Sequence, residues 1–175
     1  MKKIAQTNIA EIEAAKLAQE KSKSEEVRSF AKKMMDDHTT AQDELEKLAQ
    51  SKGVTLPNKP DAKHQAAMKK MTTLSEKEFD KQYMSQAGEK DHREAQKLLD
   101  RVSKQAKDEE LKQYATKTIA AVEEHGKMAK EMKGGKGATT SSGSSAGGSS
   151  GSSADKAGSS SSGGAEKSGG SSTSK

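Results

Sequence analysis

The sequence predicts an all-α fold: a four-helix bundle with a long crossover between helices two and three, followed by a disordered C-terminal tail. Three observations carry this. Apolar residues recur in steps of three and four through most of residues 2–132, the spacing that keeps side chains on one buried helix face. The chain has no Cys and no Trp, and only two Phe and two Tyr, so its core must be built from Ala, Leu, Ile, Val and Met. Ala, Leu and Met are strong helix formers, and Met also fills irregular gaps. Lastly, twelve of the fifteen glycines follow Met132, in a Gly/Ser/Ala tract from Lys133 to Lys175. Such a tract has nothing to bury and reads as a flexible tether or solubilising tail. The expected organisation is one domain over residues 1–132 and a tail over 133–175.

The first helix is expected from about Lys3 to Ser22, with Ile4, Ile9, Ile12, Ala15 and Ala18 along it. Ser24 is a natural N-cap for the second, with Glu25 and Glu26 in the first turn, where acids favour the dipole. That helix continues to Ser51, and Gly53 supplies its stop. So few residues separate these two helices that they must be antiparallel neighbours. Val54 to Thr73 follows, broken by Pro57 and Pro60, with a short helix expected between Asp61 and Met71. Ser75-Glu76-Lys77-Glu78 fits a capping box and opens the third long helix, which carries Phe79, Tyr83, Met84, Ala87, Asp91, Ala95, Leu98 and Val102. A turn near Lys107 and Asp108 leads into the fourth. The connection between helices two and three is long enough to run back along the bundle and set them parallel, which is the ferritin-like plan.

Charge narrows the partners. The net charge is +5, of which the tail holds +3, leaving the domain at +2 with Lys and Glu interleaved. That pattern is a solvated, ion-paired surface, and no nucleic-acid partner is expected. No stretch is apolar enough for a transmembrane segment. Met1-Lys2-Lys3 looks like the start of a signal peptide, yet Gln6, Thr7, Asn8 and Glu11 follow where the apolar run belongs, so no export signal is expected in the chain as given.

The chemistry lies on the seams. His38 falls in the run Val27, Ala31, Met34, His38, Ala41, Leu45, Leu48, and His125 in the run Leu111, Ala115, Thr118, Val122, His125, Ala129, Met132. A buried imidazole needs a partner at each nitrogen. Glu11 projects among Ile4, Ala15 and Ala18, whereas Glu13 falls on the wet face. Asp91 sits at the centre of the third helix's apolar arc, with His92 at its edge. Counted from the helix ends at 1.5 Å per residue, Glu11 and His38 differ in height by roughly 3 Å, as do Asp91 and His125. His38 and Asp91 differ by roughly 4–5 Å if their helices are parallel. All four groups can gather at mid-bundle. Two imidazoles and two carboxylates suit one divalent ion (Zn, Fe, Mn or Cu), and equally suit a hydrogen-bonded network that fixes helix register. A di-iron centre is not expected, because Met35 and Val122 stand where Glu-x-x-His would require glutamate. Met34 and Met128, each within about a turn of a histidine, read as core methionines, with copper kept among the metals. His64, in the crossover, reads as a surface residue.

Several short segments occur together: Ile9-Ala10-Glu11-Ile12-Glu13, Phe30-Ala31-Lys32-Lys33-Met34, Asp36-Asp37-His38-Thr39, Gly53-Val54-Thr55-Leu56-Pro57, Glu78-Phe79-Asp80, Lys90-Asp91-His92 and Glu124-His125. In combination they resemble a bacterial family of ferritin-like domains of unknown function, usually labelled exported or predicted outer-membrane proteins. The resemblance covers about residues 2–132 and implies a ferritin-like bundle with an N-terminal leader. It implies no reaction. Its Asp-His and Glu-His positions match His38, His92 and His125, which brings His92 into the candidate set. The chain begins inside the first helix, so the expected location is the periplasm or cell envelope by resemblance, and the cytoplasm if the chain is complete as given.

The sequence thus points to a ferritin-like bundle, envelope or stress related, that binds one divalent metal through Glu11, His38, Asp91, His92 and His125. The alternative is a structural or stress-related helical protein whose polar core only sets the fold. An enzyme using the same cluster ranks behind both, since no substrate pocket can be inferred. A homo-oligomer is compatible with this reading; the sequence names no protein partner.

Overall fold

The computed structural model describes residues 1–134, and these residues are all-helical. Helices α1 (Lys2–Lys21) and α2 (Glu25–Ser51) form a hairpin. The Ser24 hydroxyl accepts the Val27 N–H at 3.3 Å, so the expected cap is in place. At the other end of α2, Gly53 takes φ 65°. Its N–H donates to Gln50 O (3.1 Å) while Val54 N–H donates to Ala49 O (2.8 Å). This paired closure satisfies the last carbonyls and needs a left-handed residue, hence glycine.

The crossover carries α3 (Ala62–Thr72), capped by Asp61, whose carboxylate accepts the His64 N–H at 3.0 Å. Then α4 (Glu76–Ser85) opens with Glu78 accepting from the Ser75 N–H (3.3 Å) and hydroxyl (2.6 Å). Without leaving helical backbone the chain passes through a π-helical turn, Gln86–Asp91, into α5 (His92–Gln105). The last helix is α6 (Glu109–Lys133), capped by the Asp108 carboxylate on the Leu111 N–H at 2.9 Å. Helix α6 runs one residue past the expected domain boundary. Apart from Lys133 and Gly134, the expected tail lies outside the described residues.

Side-chain pairs give the helix directions. Between α2 and α6, Asp37 meets His125, Glu44 meets Lys117 and Lys52, just past the end of α2, meets Glu110, so rising numbers face falling ones. Likewise Glu89 meets Lys133 and Gln96 meets Glu123, which sets α6 antiparallel to the π turn and α5. None of the described helices is long and apolar enough to cross a membrane.

The core has two apolar clusters. One gathers Ala14, Ala15, Ala18, Val27, Phe30, Met34, Phe79, Tyr83, Met84 and Ala129. The other gathers Ile4, Ala5, Leu45, Ala95, Leu99, Tyr114, Ala115 and Val122. Between them, along every long helical run, lies a buried polar residue: Asn8 and Glu11 on α1, His38 on α2, His92 on α5 and His125 on α6. A polar layer therefore divides the core.

The π turn shifts the register of the third run. Its wider turn leaves both Asp91 and His92 buried, and beyond it Leu99 joins the expected Ala95 on the inner face while Leu98 and Val102 are only partly buried. Gly88 sits inside this turn against α6. A Cβ there would lie 2.8 Å from Ala129 Cβ, so only glycine permits the approach, whereas a Cβ on Gly126 meets nothing within 4 Å. Gly88→Ala should therefore destabilise by about 1–3 kcal/mol through overpacking, and Gly126→Ala should stabilise by about 0.5–1 kcal/mol through helix propensity. Chemical denaturation of both variants checks the opposite signs; equal effects would contradict this packing.

Candidate metal centre

Three imidazoles meet in the polar layer. His38, His92 and His125 are 3%, 3% and 1% exposed, and their ring centroids lie 5.3–5.5 Å apart. One nitrogen of each ring lies within 4.8 Å of the other two. What matters chemically is which nitrogen carries the proton, and the outward partners fix that.

On His92 the Nδ1–H donates to Ala87 O at 2.5 Å, a carbonyl at the π turn. On His125 the Nε2–H donates to the Asp37 carboxylate at 2.6 Å. On His38 the Nδ1–H points at Asn8 Oδ1, 3.4 Å away. Asn8 is itself oriented, since its amide N–H₂ donates to the Tyr114 hydroxyl at 3.2 Å and lies 3.5 Å from Gln42 Oε1. A neutral imidazole has one N–H, so each ring turns its lone pair inward. His92 Nε2 then faces His125 Nδ1 at 3.3 Å, acceptor against acceptor, and His38 Nε2 is buried without a partner. Such a layer lacks a positive charge at its centre.

The two expected carboxylates, Glu11 and Asp91, sit outside the three-nitrogen set. Glu11 is 2% exposed, and its Oε1 lies 3.9 Å from Nδ1 of His92, the nitrogen that carries the proton. Glu11 thus stands behind His92 and outside the three-nitrogen set, and its Oε2 has no partner among the described residues. Asp91 accepts from Gln86 Nε2 at 2.7 Å and lies 3.8 Å from His64 Nε2. It belongs to a second polar group under the crossover. His64, read from sequence as a surface residue, is buried there, with Nδ1 donating to Asp61 at 2.7 Å. Met34 packs inside the first apolar cluster and Met128 against it, as core methionines do.

Sequence reasoning missed Asp37 and Asn8. Asp37 is half exposed on α2 and crosses to α6, so its role depends on a neighbouring helix. The one sequence signal was its place immediately before His38. A family model described as a domain of unknown function, DUF4142, matches residues 1–132. The chain belongs to this family. No curated protein and no solved structure matches it.

Electrostatics in the DUF4142 domain favour neutral rings at His38 and His92. Burial, followed by the neighbouring His92 and His125, holds His38 well below the usual histidine range. Burial pushes His92 down to about 4, against the opposing bond to Ala87 and with His125 adding to the fall. Burial and the charge of Asp91 push the Glu11 carboxyl well up, so without a nearby cation it is neutral. Burial also raises Asp91, although Gln86, His64 and Lys63 oppose it. Asp37 is the contrasting case: burial disfavours its charge, but hydrogen bonds from His125 and Lys33 outweigh this and hold it low.

These shifts set a pH dependence. His92 has a folded pKa of about 4, below an unfolded value of about 6.5, so the unfolded chain binds more protons between those values. Its contribution is present above pH ~6.5 and is lost as pH falls toward ~4, by on the order of 3 kcal/mol. Glu11, raised, acts in the opposite sense above the ordinary carboxylate range. Comparison with His92→Gln isolates the histidine. On acidification from pH ~6.5 to ~4, wild type should lose on the order of 3 kcal/mol relative to the variant; parallel pH–stability curves would contradict the assignment.

Proposed function

We propose that this protein binds a single divalent transition metal ion through His38, His92 and His125. The observation that carries the reading is the set of three inward lone pairs, each backed by an outward acceptor that holds its proton away. Metal-binding histidines are oriented in this way, by a carboxylate or carbonyl on the second nitrogen. The spacing also fits. Two imidazole nitrogens on one tetrahedral zinc lie roughly 3.3–3.4 Å apart, given Zn–N bonds of about 2.0–2.1 Å. His92 Nε2 and His125 Nδ1 are 3.3 Å apart. Modest ring movement would bring in His38. Imidazole ligation suits Zn, Cu, Fe and Ni, and three neutral nitrogens leave at least one position for a further ligand.

The surroundings supply charge to match. Asp37 behind His125 is ionised, and Glu11 behind His92 is a buried carboxyl that a nearby dication would ionise. A purely structural network explains less, because it leaves His38 Nε2 and Glu11 Oε2 buried without partners and two acceptors opposed. Of the three histidines only His92 has a glutamate three residues before it, and that residue, Glu89, is paired with Lys133, so the two Glu-x-x-His motifs of a di-iron pair are not met and one ion is favoured. In this reading the fold is a ferritin-like four-helix bundle. Helix α2 and the α4–α5 run are parallel because both are antiparallel to α6, and the crossover with α3 joins them. The sequence resemblance supports a place in the bacterial envelope.

Metal-linked stability tests the proposal. Zinc at about 100 times its Kd should raise the unfolding free energy by about 2.7 kcal/mol. In His38→Leu/His125→Leu the gain should vanish, because two of the three inward nitrogens are removed. Asp91→Asn should keep the gain. Absence of stoichiometric metal, together with no stability change on adding Zn, Cu, Fe or Mn, would overturn the reading.

A further inference from the structure

A cleft of about 410 Å³ lies on the seam between α5 and α6, lined by Glu89, His92, Arg93, Gln96, Val122, Glu123, Gly126, Lys127 and Lys130. The contact from His92 Nε2 to His125 Nδ1 crosses the same seam, one residue from Gly126. His92, almost wholly buried, thus lines this cleft with one side of the ring set that holds the metal position. Gly126 is the second unusual feature. A glycine inside a helix costs about 1 kcal/mol relative to alanine, and here no tight neighbour demands it, since a Cβ would meet nothing within 4 Å. Gly126 lines the cleft, so a bulky side chain there would fill it.

The charges select the ligand. Of the two acids in the cleft, Glu89 is paired with Lys133 at 2.9 Å and Glu123 accepts from Gln96 at 2.7 Å. Arg93, Lys127 and Lys130 make no ion pair among the described residues. A metal cation approaching this way would be repelled, whereas an anion would be drawn in. A dication on three neutral imidazoles in turn attracts an anion to its remaining position. We infer that the α5–α6 cleft admits a small anion to an exchangeable position on the metal held by His38, His92 and His125. The ligand class is an anion that bonds the metal through one end and fits within a few hundred cubic ångströms, as small-molecule sites do. This inference rests on the metal reading proposed above.

Cobalt(II) loading followed by azide titration separates the two claims. The full chain loaded with Co(II) should show visible ligand-field bands that azide shifts saturably. Lys127→Glu/Lys130→Glu, on the exposed rim, should raise the apparent azide Kd about tenfold with Co(II) affinity little changed. Gly126→Trp should reduce azide binding further by filling the cleft, while Gly126→Ala binds as wild type does. If Co(II) binds but azide leaves the bands unmoved, or if the rim double variant binds azide as tightly as wild type, the inference falls and the metal site stands. If Co(II) does not bind, both fall.

Discussion

Three hydrogen bonds that run outward, from His92 to Ala87, from His125 to Asp37 and from His38 to Asn8, determine the chemistry of this core. They place the imidazole protons on the outside and the lone pairs on the inside. Reversing any one of them would let a ring donate to its neighbour, and an ordinary buried network would result. As arranged, the layer has acceptors facing acceptors. Burial works in the same direction, since it keeps His38 and His92 uncharged near neutral pH. Apolar clusters lie on either side of the layer.

The backbone is adapted to the layer. A regular α-helix through residues 86–91 would not bury Asp91 and His92 together while also offering the Ala87 carbonyl to His92. The π turn does both, and Gly88 within it lets α6 come close enough for His125 to meet His92. Turns of this kind recur where a helix is bent to the needs of a site. The mid-helix glycines of the third and fourth runs have different causes: Gly88 answers a close approach, and Gly126 borders open space.

Much of this was legible in the sequence, for physical reasons that can be named. Capping chemistry marks the starts of α2 and α4, and Gly53 marks the end of α2, because these signals are local. His38 and His125 stood out because an imidazole on an apolar seam contradicts the seam. Counting at 100° per residue put Asp91 at the centre of the arc and His92 at its edge because it assumes an unbroken α-helix; the π turn buries both. The family resemblance brought in His92 where periodicity only placed it at the edge. Gly88 was the one available sign of the irregularity. Asp37 and Asn8 were beyond reach for a different reason: each acts on a residue of another helix, and its meaning appears only once helix directions and heights are set. His64 escaped notice because burial beneath a crossover leaves no periodic trace.

The most direct measurement is the protonation pattern of the rings, read from the imidazole ¹⁵N shifts of the metal-free protein near neutral pH. His38 and His92 should be Nδ1-protonated and His125 Nε2-protonated, and added zinc should move the resonances of His38 Nε2, His92 Nε2 and His125 Nδ1. Protons found on those inward nitrogens, or inward resonances unmoved by zinc, would contradict the metal-centre account.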